Sequence, residues 1–357
     1  MRFILVLLFL VAPTVLRAQT VTHAPNASEP LEQRWDWAVR QAGDAACSDG
    51  CWIGYSIMRL MHEDSYIGSW SDRDDRPTLE ELVYGRHTEH LTDNGPRGAA
   101  QPAKVEKEVA FLFRVEPRGG EVRDIRISNM SLSADLDGLP VLWLGKAGMP
   151  ESIAFVRERY GKAGSTELKK DLVTAAGIHE GEASASSFLR QVLAGKDDDE
   201  VRSQAAFWLA EQDGPEAAAV LEQTAKQDRS EEVREQAVFG LSRIDTEGAT
   251  ERLIGLAKGG ADDSGTREKA IFWLGQKASQ KAAETLGDIA QNDPNTEIQK
   301  KAVFAISQLP HDEGVPKLIT IARTHRNAKV RQEAIFWLGQ SGDARAVDVL
   351  VDIARGE

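Results

Sequence analysis

A ten-residue string returns along this chain at a nearly constant interval, and the interval limits the folds that the chain can adopt. The strings Thr266-Arg-Glu-Lys-Ala-Ile-Phe-Trp-Leu-Gly275 and Val330-Arg-Gln-Glu-Ala-Ile-Phe-Trp-Leu-Gly339 are almost the same. Looser copies begin at Val201, Val233 and Ile298, so successive copies start 32 or 33 residues apart. A period of this length predicts an array of stacked supersecondary units.

Each unit has the pattern of a helical hairpin. Positions 1, 5, 6 and 9 of the string are apolar, as Val330, Ala334, Ile335 and Leu338 are in the last copy, and they fall on one face of a helix. After a polar turn comes a second apolar pattern, as at Leu286 to Ala290. We call these the first and second helix of a repeat. Neither can bury its apolar face alone, so the repeats must stack.

The repeats extend upstream with a weaker signal. Leu168 opens a further copy, and Leu189 lies in its second helix. The stretch Val141 to Gly145, followed by Glu151 to Tyr160, has the pattern of a half-formed first repeat that would cap the array. We therefore predict about six repeats over residues 140–357.

The strings Val-Arg-x-x-Ala-[Val/Ile]-x-x-Leu-Gly resemble the HEAT-like repeat family, in the short variety first associated with phycobilisome lyases. The resemblance covers about 141–357 and implies an all-α, armadillo-like solenoid. Some HEAT-like proteins are iron hydroxylases with His–Glu pairs in several repeats, but here the predicted solenoid has only His179-Glu180. Nothing selects a bilin either. The resemblance thus implies a fold without a cofactor, and fold alone does not determine function.

Residues 1–18 have the pattern of a signal peptide. Met1-Arg2 precedes an apolar run, Phe3 to Ala12, and the small residue Ala18 supplies a cleavage point. Because a membrane-spanning helix needs about 20 apolar residues, we expect cleavage and no transmembrane segment afterwards. The mature protein is expected to be exported, to the periplasm or beyond, with a flexible leader at 19–30.

Residues 31–139 differ from the repeats and predict a small strand-rich module, so the chain is α+β overall. Alternating apolar residues predict strands at Trp52 to Met58 and Val109 to Val115, and Val122 to Ile127 returns the chain. Thr78 and Glu81 have the spacing of a helix capping box.

Two cysteines, Cys47 and Cys51, are the only ones in the chain. In an exported protein two nearby cysteines usually form a disulfide. We predict a structural disulfide, with a redox-active pair as the alternative.

The chain carries a net charge of −13, and removal of Arg2 and Arg17 with the signal peptide makes it more negative. A surface of this sign repels nucleic acid and anionic lipid. Nucleic-acid binding is therefore not expected.

The histidines of the amino-terminal module are weak candidates for a metal site. His87 and His90 are three residues apart, not far in sequence from His62, but they lack the spacing of zinc proteases and lie in a loop-like segment. Asp72, Asp74 and Asp75 lack the glycine and the final glutamate of a calcium loop. We favour a solvated loop over a metal site.

Arginine recurs at position 2 of the string, as Arg202, Arg234, Arg267 and Arg331, and Gln299 replaces it in one copy. Acidic residues precede several of these arginines. We predict a structural ladder in which each arginine bonds acids of the loops between repeats.

Aromatic residues at positions 7 and 8 do not fit a simple amphipathic helix. Position 7 is phenylalanine in all five copies and position 8 is tryptophan in three; we call this set the aromatic ridge: Phe207, Trp208, Phe239, Phe272, Trp273, Phe304, Phe336 and Trp337. Exposed, the ridge would be an interaction surface. Tilted packing could instead bury the rings between first helices, as a structural ladder.

The main functional hypothesis is an exported scaffold, not an enzyme, whose solenoid binds a protein or peptide partner in the cell envelope. Binding would use the ridge or a groove lined by second helices, where the candidates are Arg190, Gln191, Glu222, Gln223, Asp288, Thr320 and Asp352. One alternative gives an enzymatic, metal-dependent activity to the amino-terminal module, with the repeats as a dock. Another is a structural envelope component that associates with itself.

Overall fold

The computed structural model describes residues 19–43, 47–68, 76–85, 103–117, 120–212, 214–260, 263–277 and 279–355. The chain forms two compact units, Met1–Phe155 and Val156–Glu357. Among the described residues, no helix combines the length and the apolar character needed to cross a bilayer.

The amino-terminal unit is built on one five-stranded sheet. Its strands are β1 (Val21–His23), β2 (Cys51–His62), β3 (Lys104–Val115), β4 (Val122–Asn129) and β5 (Val141–Lys146). Their order across the sheet is β1-β5-β2-β3-β4. The pairs β2–β3 and β3–β4 are antiparallel, whereas β5 runs parallel to both β1 and β2. The three strands predicted from alternation are thus β2, β3 and β4.

Both faces of the sheet are covered. On one face, Trp52 and Trp143 pack with the short helix α2 (Leu79–Tyr84), whose predicted capping box between Thr78 and Glu81 is formed. The other face carries Tyr55 and the rings that meet α1 (Leu31–Ala42) and the first turns of α3 (Met149–Lys162). The sheet is therefore a middle layer, and its central strands are buried on both sides.

Two predictions at the ends of this unit were wrong. The leader predicted at 19–30 contains β1, which pairs with β5, and α1 begins directly after it. The run Val141 to Gly145 is not part of a half-formed repeat but lies in β5, a strand in the interior of the sheet. Short apolar runs do not distinguish a doubly buried strand from a buried helix.

The second unit consists of helical hairpins, as predicted. Between Thr166 and Arg355 the described residues form six hairpins: α4 (Thr166–Gly177) and α5 (Ala183–Leu193), α6 (Asp199–Glu211) and α7 (Pro215–Gln227), α8 (Glu231–Arg243) and α9 (Glu247–Gly255), α10 (Ser264–Lys277) and α11 (Gln280–Asn292), α12 (Thr296–Ser307) and α13 (His311–Thr324), α14 (Ala328–Gln340) and α15 (Ala344–Arg355). The even-numbered helices α4 to α14 are the first helices.

The hairpins stack in two layers. Neighbouring first helices pack closely along their length, whereas neighbouring second helices contact each other less. The alanines at position 5, such as Ala237, Ala270 and Ala302, are fully buried in these contacts. Because small side chains let helix axes approach, the first helices form the tighter, inner layer of the solenoid and the second helices form the outer layer.

One repeat is a residue longer than its neighbours, and it contains a π-helical turn. Helix α9 continues into Leu256–Gly260, which has π-helical hydrogen bonding and ends near Gly259 at φ 110°. A π turn accommodates one extra residue within an α-helix. The extra residue of the step between Val233 and Thr266 lies after Ala257, because the position of Ala257 relative to Val233 matches the other repeats.

Candidate interaction surface

The predicted arginine ladder links each first helix to the loop that precedes the next first helix. Arg202 is 2% exposed and donates to Asp228, in the loop before the next first helix, at 2.6 Å. Arg267 donates to Asp293 in the same way, also at 2.6 Å. Arg234 makes the corresponding, longer bond to Asp263. The ladder prediction is confirmed for these three arginines. Arg331 instead donates to the backbone carbonyl of His325 at 2.7 Å and pairs with no acid among the described residues.

The ladder changes at its fourth step. Gln299 stands at position 2 of α12, and His325 takes the loop place that Asp228 and Asp293 hold in other repeats. Both side chains are buried, at 3% and 1% exposure. Nδ1 of His325 accepts from the backbone N–H of Asn327, and Nε2 is buried without a partner among the described residues. At this step an amide and an imidazole therefore replace the guanidinium and the carboxylate of the other repeats.

The rings of the aromatic ridge form one continuous series of contacts along the first helices. The centroids of Phe207 and Phe239 are 6.4 Å apart in a stacked arrangement, and Phe239 meets Trp273 at 4.9 Å. The same two contacts recur one pair of repeats later, from Phe272 to Phe304 at 6.4 Å and from Phe304 to Trp337 at 5.0 Å.

These rings are neither core nor fully exposed. The phenylalanines and tryptophans of α6, α8, α10 and α12 are half-buried, and Phe336 on α14 is 54% exposed. Each ring covers part of its neighbour and leaves the rest at the surface of the inner layer. The two interpretations of the ridge therefore both hold in part: it is a ladder between helices and an accessible apolar surface.

Tryptophan alternates with a small residue at position 8, and the alternation has a steric basis. Position 8 is Ala175, Trp208, Gly240, Trp273, Ala305 and Trp337 in successive first helices. The indole of Trp208 lies where a Cβ on Gly177 would be. A Cβ on Gly275 would come within 2.8 Å of the carbonyl oxygen of Ala305. The small residues Gly240 and Ala305 thus lie where neighbouring first helices come into close contact.

The centre of the ridge holds a pocket of about 500 Å³ between α8, α10 and α12. Phe239, Phe272, Trp273 and Phe304 contribute its aromatic walls. Charged and amide side chains from positions 3 and 4 form its rim: Glu235, Gln236, Glu268, Lys269 and Lys301, together with Glu232. Concave, aromatic surfaces with a few polar groups are typical of binding sites.

The three ridge tryptophans differ in how their indole N–H groups are used. Trp208 donates to Thr174 Oγ1 at 3.2 Å, and Trp337 donates to Glu333 Oε1 at 2.8 Å. Around Trp273, the residue that corresponds to Thr174 is Phe239, and the residue that corresponds to Glu333 is Lys269. Neither side chain can accept a hydrogen bond. Accordingly, no described residue accepts a hydrogen bond from Nε1 of Trp273, which lines the pocket.

The rim carboxylates also differ in their counter-ions. Glu235 pairs with Lys269 and Glu268 pairs with Lys301, each at 3.0 Å, so these two pairs bridge neighbouring first helices. No described cation lies within ion-pair distance of Glu232, which is exposed at the pocket rim. The rim therefore keeps one uncompensated negative charge.

The groove candidates on the second helices lie in the outer layer, away from the pocket. Their acidic members are engaged in ion pairs between repeats: Glu222 with Arg252, Asp288 with Lys258 at 3.3 Å, and Asp352 with Arg323 at 2.6 Å. Gln223 and Thr320 are exposed. Arg190 donates to Glu216 at 2.7 Å, and Gln191 accepts from Arg157 at 3.4 Å. These bonds give most of the groove candidates a structural role.

The predicted disulfide is not formed. Cys47 and Cys51 are free and buried, and Cys51 is the first residue of β2. Burial and the hydrogen bond with Cys47 raise the pKa of the Cys51 thiol. Oxidation starts from the thiolate, so a thiol held protonated is a poor starting point for a disulfide.

The histidine candidates are not brought into a site by the described residues. His62 ends β2, while His87, His90 and the aspartates Asp72, Asp74 and Asp75 lie outside the described residues. The described part of the chain contains no group of three or more His, Cys, Asp or Glu side chains placed to hold a metal. His179 is fully buried and its Nδ1 lies 2.8 Å from the carbonyl oxygen of Ala175.

Comparison with known proteins agrees with the fold. Residues 186–272 and 283–357 match the family model of HEAT repeats. No curated protein gives a significant match to the sequence.

Three solved structures are similar over the repeats. The complex of CpcE and CpcF of phycocyanin lyase from Nostoc sp. PCC7120 matches with 20% identity, covering 56% of this chain and 79% of that chain, at a TM-score of 0.34. Human deoxyhypusine hydroxylase matches with 21% identity, 57% and 78% coverage and a TM-score of 0.26. The Escherichia coli protein YibA matches with 18% identity, 58% and 76% coverage and a TM-score of 0.35. Similarities at this level carry no information about function.

Proposed function

We propose that this chain is an exported protein-interaction scaffold that binds a segment of an envelope protein along its aromatic ridge. Residues 186–272 and 283–357, which match the family model of HEAT repeats, support this proposal. Export is inferred from the signal-peptide pattern of residues 1–18. Solenoids commonly present an extended surface to protein partners.

The observation that carries the proposal is the half-exposed state of the ridge. Aromatic side chains anchor many protein interfaces because they bury a large area at a small cost in side-chain entropy. In a purely structural ladder the rings would be covered, as Trp52 and Trp143 are in the sheet unit. Here the rings stay accessible along α6 to α14 and surround a pocket.

The test is a crosslinking capture from the host envelope with the full chain. We expect wild type to capture a partner and the Phe239→Ser/Phe304→Ser variant to lose it. Because these rings are half-buried, urea unfolding must show that the variant still folds. Phe336→Ser, at a ring more than half exposed, gives a second ridge variant with less effect on folding.

A variant of the outer layer serves as the control. Gln223→Ala/Thr320→Ala changes two exposed side chains of the second helices and should leave capture unchanged. Loss of capture in this variant, with capture retained in the ridge variants, would place the interaction on the second helices and overturn the proposal.

Self-association is a second candidate, favoured by the last hairpin. Phe336, Val347 and Val351 are 54%, 59% and 41% exposed, whereas Val315, which corresponds to Val347 one repeat earlier, is 2% exposed. A second copy would cover these side chains. Sedimentation velocity over a hundredfold range of concentration tests this: a monomer throughout eliminates self-association.

A further inference from the structure

The pocket at the centre of the ridge offers three kinds of group to a ligand. Its walls are the aromatic rings of Phe239, Phe272, Trp273 and Phe304, its rim carries the unpaired carboxylate of Glu232, and the indole N–H of Trp273 has no acceptor among the described residues. A ligand that satisfies all three needs an apolar stem, a cationic end and a hydrogen-bond acceptor.

We propose that this pocket binds an arginine residue in an extended segment of the partner protein. The methylene stem of the arginine lies against the rings, the guanidinium meets Glu232, and the backbone carbonyl of the same segment accepts from Nε1 of Trp273. This inference rests on the proposed function, since it specifies which chemistry the ridge recognises.

The separation of the groups suits a long side chain. Glu232 precedes Phe239 by seven residues of α8, which corresponds to about 10 Å along the helix axis. A leucine or valine side chain at the rings would leave the carboxylate unpaired. An arginine side chain buries its stem on apolar surface while its charged end reaches a polar rim.

Arginine fits better than lysine because of its shape. The planar guanidinium stacks on aromatic rings and forms paired hydrogen bonds with a carboxylate, whereas an ammonium is a compact and strongly hydrated charge. The two rim lysines do not supply this cation themselves, because Lys269 and Lys301 are held at 3.0 Å by Glu235 and Glu268.

Glu232 differs from its counterparts in the other repeats. Glu200 and Glu297 occupy the same place before position 1, but Glu200 pairs with Lys170 at 2.9 Å and Glu297 pairs with Lys300 at 3.0 Å. Lys300 lies on the same helix as Glu297, and its counterpart in α8 is Glu235; Lys170 lies on the first helix before that of Glu200, and its counterpart in α6 is Ser203. A carboxylate and an indole N–H that have no partner in the described part of the chain thus lie at one pocket.

The test uses nuclear magnetic resonance of the full chain, titrated with N-acetyl-arginine N-methylamide. This probe contains the stem, the guanidinium and a carbonyl acceptor. The indole resonance of Trp273 is assigned by its loss in Trp273→Phe. We expect a saturable shift of this resonance. The matching citrulline probe, neutral but of the same shape, should bind about tenfold more weakly, because a hydrogen bond to a charged group is lost.

Two substitutions distinguish the effect of the Glu232 carboxylate from a general effect of net charge. Glu232→Gln is expected to weaken the arginine probe about tenfold, because a charge-assisted bond becomes a neutral one. Glu297→Gln, at the equivalent but paired carboxylate, should have no effect. An unmoved Trp273 resonance, equal binding of the citrulline probe, or equal loss in both variants would each overturn the proposal.

The outcome is distinguishable from that of the capture experiment. If the ridge variants lose a partner but the arginine probe leaves Trp273 unmoved, the ridge is an interaction surface with a different occupant. If wild type captures nothing but the probe binds with the expected dependence on Glu232, the pocket has the proposed chemistry and the scaffold function is wrong.

Discussion

At the scale of single residues, the solenoid depends on buried arginines that are paired with aspartates. Arg202 is 2% exposed and bonds both Asp199 and Asp228 at 2.6 Å. Desolvation of a guanidinium is costly, and removal of one partner leaves the other charge uncompensated. Such pairs hold neighbouring repeats in register more than they add to net stability.

Truncation of this arginine should be strongly destabilising. We expect Arg202→Ala to lower the free energy of unfolding by about 3 kcal/mol or more, since Asp228 then lies partly buried without its cation. Arg252→Ala, which removes a 37%-exposed partner of Glu222, should cost about 1 kcal/mol or less. Urea unfolding of both variants measures the difference; equal losses would contradict a special role for the inner ladder.

At the fourth step of the ladder, we predict an energetic coupling between positions 299 and 325. Gln299→Arg alone places a cation beside the buried His325 and should destabilise the chain. Adding His325→Asp rebuilds the arginine–aspartate pair of the other repeats and should recover stability. We expect a coupling energy of about 1 kcal/mol or more in a double-mutant cycle, within the range for residues that share one network. Additive effects would show that the two positions do not interact.

Residue patterns in the sequence predicted part of this arrangement. The recurring arginine at position 2 predicted the ladder, because a cation needs acids within reach. The exchange at Gln299 and His325 was missed, since it shows only when the residue five positions before each ten-residue string is compared between repeats. The sequence alone did not show that the Trp273 indole N–H lacks an acceptor among the described residues, because such an acceptor can lie on a neighbouring helix, as Thr174 does for Trp208.

At the scale of elements, one carboxylate ties together four parts of the sheet unit. Glu108 on β3 accepts hydrogen bonds from Ser56 on β2 at 2.6 Å and from Tyr84 on α2 at 2.7 Å, and it pairs with Lys146 on β5 at 2.8 Å. Burial alone would raise the pKa of Glu108, but these bonds outweigh it and lower the pKa below 4.5. Burial and the bond to Glu108 raise the pKa of Tyr84 to about 12.

This cluster should make the sheet unit sensitive to acid. A carboxyl group with a lowered pKa stabilises the folded state fully above its ordinary pKa of 4.5, and this contribution is lost as the pH falls through the lowered value. Glu108→Gln should therefore flatten the loss of stability below about pH 4.5. The dependence of stability on pH is measured by urea unfolding between pH 3 and 6, with amide exchange of the β2 and β3 peptides as the readout. An unchanged pH profile would contradict the assignment.

Element prediction succeeded where periodicity was long and failed where it was short. The first and second helices repeat an apolar pattern over six hairpins, so their type and register were evident. The four buried residues Val141 to Leu144 of β5 carry no period that separates strand from helix. The three-residue strand β1 owes its existence to β5, with which it pairs, and nothing local in Val21 to His23 indicates a strand.

At the scale of the whole solenoid, the ridge has a period of two repeats. Tryptophan occurs at position 8 of α6, α10 and α14, and a small residue occurs at α8 and α12. The two nearly identical strings, from Thr266 and from Val330, are also two repeats apart. If the array is lengthened or shortened by two hairpins, every ring contact of the ridge is therefore kept.

Deletions test this unit. Removal of residues 266–329 joins Gly265 to Val330 and places Trp337 beside Phe239, in the role of Trp273. Removal of residues 266–297 alone places Ala305 beside Gly240 and leaves a void in the ridge. We expect the two-repeat deletion to be at least as stable to urea as the one-repeat deletion, although stability in repeat arrays otherwise rises with repeat number. The opposite order would show that the alternation is energetically unimportant.

The π turn at Leu256–Gly260 has a practical consequence for labelling. It lies in the outer layer, in the repeat that is one residue longer, while the rings of α8 and α10 keep their contact, Phe239 to Trp273 at 4.9 Å. The extra residue, which lies between Ala257 and Thr266, therefore leaves the ring contact on the inner side in place. A fluorescent tag or an affinity handle introduced beside Gly259 would report on the solenoid from its outer surface and leave the ligand-facing side untouched.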